Sequence, residues 1–201
     1  MPSEVSSPGR VGREQRREER RERVIAAAMR MARDGGYEAV QMRAVAEEAD
    51  VALGTIYRYF RSKDEVLIAG LAVWIAALRR QLAVEAPPHD TAGERLRSVL
   101  DRAAASTEGS PVLMHALVTA LSTTNPEAGE VKLAVDREFR ALIESAIGDS
   151  PDVDVDGVVR VMGHVWYSAL TRWVGGLAAD GSVVDELHHA SRLLLGTAEA
   201  V

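Results

Sequence analysis

Residues 41–63 read Gln41-Met42-Arg43-Ala44-Val45-Ala46-Glu47-Glu48-Ala49-Asp50-Val51-Ala52-Leu53-Gly54-Thr55-Ile56-Tyr57-Arg58-Tyr59-Phe60-Arg61-Ser62-Lys63. Met42, Val45, Ala46 and Ala49 recur at helical spacing for about two turns. Asp50-Val51-Ala52 then makes a tight connection, and Leu53 to Phe60 is expected to form a second two-turn helix. Two brief helices joined by a three-residue turn are the layout of a helix-turn-helix, whose second helix enters a DNA groove.

Upstream, helical periodicity begins near Glu14 and places Val24, Ala27, Ala28, Met31 and Ala32 on one stripe until Gly35-Gly36 stops it. Residues 1–12 have linker composition and are expected to be a flexible tail. Downstream, Ser62 followed by Glu65 is a capping box opening a long apolar helix to about Val84, which Pro87-Pro88 closes. Five further helical patterns follow: Thr91 to Thr107, Pro111 to Ser122, Pro126 to Ile147, Val155 to Ala179 and Val183 to Ala198. The expectation is an all-α chain of about nine helices. A helix-turn-helix domain spans 13–61, and a ligand-binding and dimerisation domain spans 62–201.

The 201 residues are 47% apolar and 27% charged, enough to bury a core and too apolar for a disordered chain. Cysteine is absent, which removes disulfides, thiolate metal cages and cysteine nucleophiles, and suits a reducing cytoplasm. The charge-free run Val66 to Leu78 falls short of the ~20 residues a bilayer helix needs, so no membrane partner is expected. Net charge is −6, but it is unevenly placed: residues 1–63 hold 13 Lys and Arg against 10 Asp and Glu, residues 64–201 hold 11 against 20. A basic front and an acidic rear suit a chain whose front meets phosphate.

The stretch quoted above resembles the TetR family of one-component transcriptional repressors. Small Ala46, turn hydrophobe Val51, Gly54-Thr55-Ile56-Tyr57, Tyr59-Phe60 and Ser62-Lys63 all stand in register. Asp50 departs from the family pattern, which places Gly at this turn; the left-handed backbone required there costs Asp only modestly. Gly35-Gly36-Tyr37-Glu38-Ala39-Val40, together with Arg160-Val161, Val165-Trp166, Ser168, Leu170 and Trp173, is further similar to the KstR-type repressors of sterol catabolism. That resemblance implies a homodimer on palindromic double-stranded operator DNA and a small apolar effector, steroid-like or linked to coenzyme A.

Several roles follow from the residues themselves. Gly54 lets the backbone at the start of the recognition helix approach the duplex, where N–H groups and the dipole favour phosphate. Thr55 offers a hydroxyl to phosphate and a methyl to thymine. Tyr57 and Tyr59 diverge on a short helix, so one is expected to reach the DNA backbone while the other lies along the groove, with core packing the competing reading of each. Arg43 is the candidate for bidentate contact with guanine, worth ~1–3 kcal/mol of discrimination. Lys63 stands at a helix start where the dipole disfavours a cation, which invites an external reason, and the resemblance implies a phosphate contact. In the family's register Leu53 faces the groove, and Gln41 completes the DNA-contacting set. The arginines before Val24 are expected to add affinity that falls with salt.

In the rear half, Trp74, Leu78, Met114, Leu117, Leu121, Phe139, Met162, Trp166 and Leu170 are the side chains expected to border an effector cavity. Val158, Val161, Val165, Ala169, Trp173, Leu187, Ala190 and Leu194 are expected at the dimer interface, which the resemblance implies is a four-helix bundle. No catalytic residue, cofactor or metal is expected. His188-His189 point to different helix faces, and no phosphate loop, nucleophile elbow or dinucleotide fingerprint occurs. The competing reading, a helical dimeric scaffold that never touches DNA, leaves Arg43, Gly54, Thr55, Tyr57 and Lys63 without a reason.

Overall fold

The computed structural model describes residues 8–84, 91–108 and 110–196. Among them the chain is helical throughout: α1 Pro8–Ala39, α2 Met42–Glu48, α3 Leu53–Ile56, α4 Lys63–Val84, α5 Ala92–Glu108, α6 Pro111–Leu121, α7 Gly129–Ile147, α8 Val155–Val174 and α9 Ser182–Leu195. A single 3-10 turn, Pro126–Ala128, precedes α7. The break expected at Pro87-Pro88 lies outside the described residues, as do residues 1–7 of the tail, Gly109 and Ala198.

Three local expectations need correction. Helix α1 begins at Pro8 rather than Glu14, so the linker-like composition of residues 8–12 does not prevent helix formation. Near its other end Gly36 adopts φ 73 and ψ −167, a conformation open to glycine, and this kink separates the long helix from the turn that leads into α2. Helix α3 is one α-helical turn, after which Arg58 N–H donates to Thr55 O at 3.2 Å and Tyr59 N–H to Ile56 O at 2.8 Å, a tighter winding that carries the chain to Phe60. Helix α8 stops at Val174 instead of Ala179. Leu177 N–H reaches back to Arg172 O and Gly176, at φ 69, donates to Trp173 O, a Schellman closure.

The α2–α3 turn uses the same closure. Val51 N–H donates to Ala46 O at 3.1 Å and Asp50 N–H to Glu47 O at 3.3 Å. Asp50 has φ 52, the one positive φ among described residues other than glycine. The left-handed residue is therefore where the sequence places it.

The core explains how the front is held. Val24, Ala28, Val45, Ile56 and Phe60 share one continuous apolar cluster with Leu67, Leu71 and Ile75 of α4, Leu117 and Leu121 of α6, and Val135 of α7. Burial of Ile56 and Phe60, 0% and 1% exposed, contributes about 1.5–3 kcal/mol each and fixes α3 on its scaffold. Packing does not part at residues 61–62, because α4 belongs to both halves. A second cluster joins Leu96, Phe139, Ile143, Val158, Met162 and Leu187 across α5, α7, α8 and α9. The stretch Lys63–Ala83 of α4 is long and apolar enough to cross a membrane, but it is half buried in the protein, with Leu67, Leu71 and Ile75 in the first core.

Candidate nucleic-acid interface and effector cavity

The front presents side chains that the core does not use. Gln41 is exposed at the entry of α2, and the Arg43 side chain, on its second residue, is 85% exposed with only Glu47 beside it at 3.5 Å. Leu53 is 38% and Tyr57 51% exposed, a high value for large apolar groups on a rigid element. Thr55 is half-buried. A Cβ added at Gly54 would meet nothing within 4 Å, and its φ is not positive, so neither crowding nor backbone strain inside the chain demands glycine there.

Tyr57 and Tyr59 diverge as expected. Tyr59 is half-buried against Phe60, with the Arg17 guanidinium 5.7 Å from its ring centroid, while Arg21 lies 5.4 Å from that of Phe60. These contacts dock the N-terminal part of α1 beside the recognition segment. Tyr59, expected to contact DNA, is instead half-buried among side chains of the head itself. The dipole assigned to the start of the recognition helix also needs revision: a single turn sums few peptide dipoles, and Thr55 N–H already donates to Ala52 O at 2.8 Å.

Lys63 has internal reasons for its place. Its Nζ donates to Tyr37 O at 3.2 Å, lies 3.4 Å from Glu38 Oε2 and sits 3.8 Å from the Tyr37 ring centroid. Burial and then the hydrogen bond to Asp64 push the Tyr37 hydroxyl well above the usual tyrosine range; it donates to Asp64 Oδ1 at 2.6 Å. Lys63, Asp64 and Tyr37 thereby clamp the α1–α2 junction to the start of α4. Ser62 Oγ accepts from Glu65 N–H at 3.2 Å as the capping box requires, and Glu65 reaches back to Arg61 N–H at 2.9 Å. Arg61 also pairs with Glu127 at 2.9 Å, linking the front to the turn before α7.

Behind the front lies a cavity of about 640 Å³ walled by α4 to α9. Trp74 and Leu78 from α4, Met114 from α6, Phe139 from α7, and Trp166 and Leu170 from α8 line it, as their size and spacing predict. Phe139 and Trp166 stack with centroids 4.6 Å apart. Leu117, Leu121 and Met162 do not line it: they are 0%, 5% and 0% exposed and packed in the two cores. Their helical stripe faces other helices, which spacing alone does not distinguish from a void.

Trp173 and Leu187, assigned above to the dimer interface, line the cavity, so all three tryptophans border it. Val158, Leu187 and Ala190 are 5%, 5% and 7% exposed within the second core, and Ala169 is 6% exposed. These four turn inward rather than toward a partner. Val161 at 40% and Leu194 at 36% remain on the outer face of α8 and α9, Val165 is half-buried, Leu193 on the helical stripe of α9 is exposed beside Leu194, and Tyr167 joins them as an exposed apolar group that periodicity did not single out. Leu100, Asp101, Val183, Val184 and His188 were missed as cavity residues. Nothing in a single sequence signals that α5 and α9 close the same space.

Residues 24–69 match the family of bacterial regulatory proteins of the tetR type, and residues 89–194 match the tetracyclin repressor-like C-terminal domain. The chain belongs to the TetR family of transcriptional regulators. It is 36% identical over 197 residues to the HTH-type transcriptional repressor KstR of Mycolicibacterium smegmatis, covering 97% of this chain and 96% of that one. It is also 36% identical to KstR of Rhodococcus jostii, over 89% of this chain and 84% of that protein. A TetR transcriptional regulator from Rhodococcus sp. RHA1 superposes with a TM-score of 0.76 at 27% identity, covering 92% of this chain and all of that one. For a TetR-family regulator the front described above is the DNA-binding head, and the remaining question is which side chains read DNA and what fills the cavity.

Proposed function

We propose that this TetR-family chain acts in the cytoplasm as a homodimeric repressor of palindromic operator DNA, released when a large apolar molecule, steroid-like or linked to coenzyme A, enters the cavity. The observation that carries this reading is the junction of an exposed reading surface to a tryptophan-lined cavity through one helix, α4. Arg43 reads a base edge, Leu53 and Tyr57 lie along the groove, and Gly54, Thr55 and Gln41 follow the backbone. Lys63 acts through its clamp on the α1–α2 junction. Pairing through Val161, Leu194, Tyr167 and Leu193 places two short recognition segments at successive major grooves ~34 Å apart, which a single copy cannot span.

Ligand binding at Trp74, Ile75 and Leu78 shifts α4, whose first turn carries Lys63 and Asp64, and the heads move out of register with the grooves. A hundredfold loss of operator affinity requires the ligand to prefer the DNA-incompetent state by ~2.7 kcal/mol. Sites selected from random DNA by the purified chain, titrated at several salt concentrations, test the reading. Palindromic sites bound by two copies with a negative salt slope support it; a failure to enrich any site, or binding by one copy, refutes it.

A further inference from the structure

We infer that the N-terminal part of α1 is a second DNA-contacting element, a helix whose arginine face lies along the phosphates flanking the groove read by Arg43, Leu53 and Tyr57. Each copy then grips base pairs outside its half of the palindrome. This rests on the operator reading above and adds a contact to it.

Residues 13–23 carry ten charged side chains and Gln15, with no apolar residue among them, yet they are helical and lead into the first core residue of α1, Val24. A helix polar on every side needs attractive pairs between its own turns or a partner outside itself. Its turns do not supply those pairs. At i,i+4 spacing Arg13 and Arg17, Arg16 and Arg20, Arg17 and Arg21, Glu14 and Glu18, and Glu18 and Glu22 set like charges together; within this stretch Glu19 and Arg23 alone set opposite ones. Arg21 meets Glu18 at 3.1 Å across three residues, an exposed pair of small worth.

The signs are sorted by face. At about 100° per residue the six arginines of the stretch fall within one arc of about 160°, and its four glutamates fall outside that arc. The fold fixes where the arginine face points. Arg17 lies 5.7 Å from the Tyr59 ring centroid, and Arg21, one turn on, lies 5.4 Å from that of Phe60, both within cation–π range. This docks the face against the segment that carries exposed Tyr57 and Arg58. Arg13, Arg16 and Arg20 share the face and are exposed, while the glutamates stand in water on the other side. From Arg13 to Arg20 the helix rises about 10 Å, the length of about three base pairs of duplex. Phosphates along that length offset the repulsion among the arginines, which a helix facing only water leaves in place.

The test uses the full chain and an operator selected from random DNA, prepared as a duplex trimmed to the palindrome and as one extended by half a helical turn on each side. Binding is titrated with salt for three proteins: the wild type, Arg13→Gln/Arg16→Gln/Arg20→Gln, and a control that removes three exposed arginines elsewhere, Arg80→Gln/Arg97→Gln/Arg137→Gln. Glutamine keeps the helix. The wild type and the control are expected to bind the extended duplex about tenfold or more tightly than the trimmed one. The first variant is expected to lose that gain, and its salt slope on the extended duplex to become shallower by about 0.9 for each phosphate contact removed. No gain in the wild type, a gain that survives in the first variant, or a gain that falls equally in the control overturns the inference and leaves the operator reading intact. A wild-type chain that selects no operator overturns both.

Discussion

Replacing Tyr37 by Phe removes one oxygen from the clamp that joins the DNA-binding head to α4. The lost interaction is a 2.6 Å hydrogen bond from a phenol to the Asp64 carboxylate, while the ring beneath Lys63 Nζ and the backbone carbonyl it accepts through both survive. A hydrogen bond to a charged acceptor is worth about 1.5–3 kcal/mol when buried; this one is half-buried, and water can replace the donor at Asp64, so a loss of about 1–2 kcal/mol is expected. For a chain of this length that corresponds to a fall in Tm of roughly 2–8 °C. Chemical denaturation of Tyr37→Phe, Asp64→Ala and the double variant isolates the pair, since the coupling measured by the cycle excludes effects of either residue alone. A coupling energy near zero refutes the idea that this contact ties head to α4. The pH dependence supplies a second reading. The folded protein holds the Tyr37 proton above the ordinary value of 10.0, so the stabilisation is present below pH 10 and is lost as pH rises beyond it. In Tyr37→Phe that alkaline decline is expected to be shallower.

Arg43→Ala is expected to weaken binding to a selected operator by about 1–3 kcal/mol and relax preference at one base pair, with no change in Tm, because the side chain is 85% exposed. Binding-site selection with both proteins checks this. Asp50→Gly is expected to stabilise by up to about 1 kcal/mol and Asp50→Ala to destabilise, since the turn requires φ 52; urea titration decides between them. Phe139→Ala removes a side chain that is 6% exposed and stacked on Trp166, so a loss of about 3–5 kcal/mol is expected together with a changed tryptophan emission. Arg95→Met is expected to cost about 1–3 kcal/mol. Its guanidinium donates to Ala146 O at 3.1 Å, to Ile147 O and to Ser150 Oγ at 3.0 Å, closing the C-terminal end of α7.

The sequence by itself determined the helical class, the helix-turn-helix and the family, because these rest on local chemistry. Spacing of Val45, Ala46 and Ala49 selects a helix face, Asp50 tolerates the left-handed turn, and Ser62 with Glu65 opens α4. Exposure of Arg43 and Tyr57 was legible for the same reason: a short element can bury only one face, which Val45 and Ala46 occupy in α2 and Ile56 and Phe60 in the segment from α3. Only the tertiary structure decided which apolar residues border space and which fill it. Leu117 and Met162 share the size and periodicity of Met114 and Trp166, yet they are packed on all sides, while Trp173 and Leu187 face the cavity. It also gave Lys63 its partners, 25 and 26 residues away in sequence at Glu38 and Tyr37. A void, an inward or outward face, and a contact across such a separation are properties of several helices at once, and no window of one helix contains them.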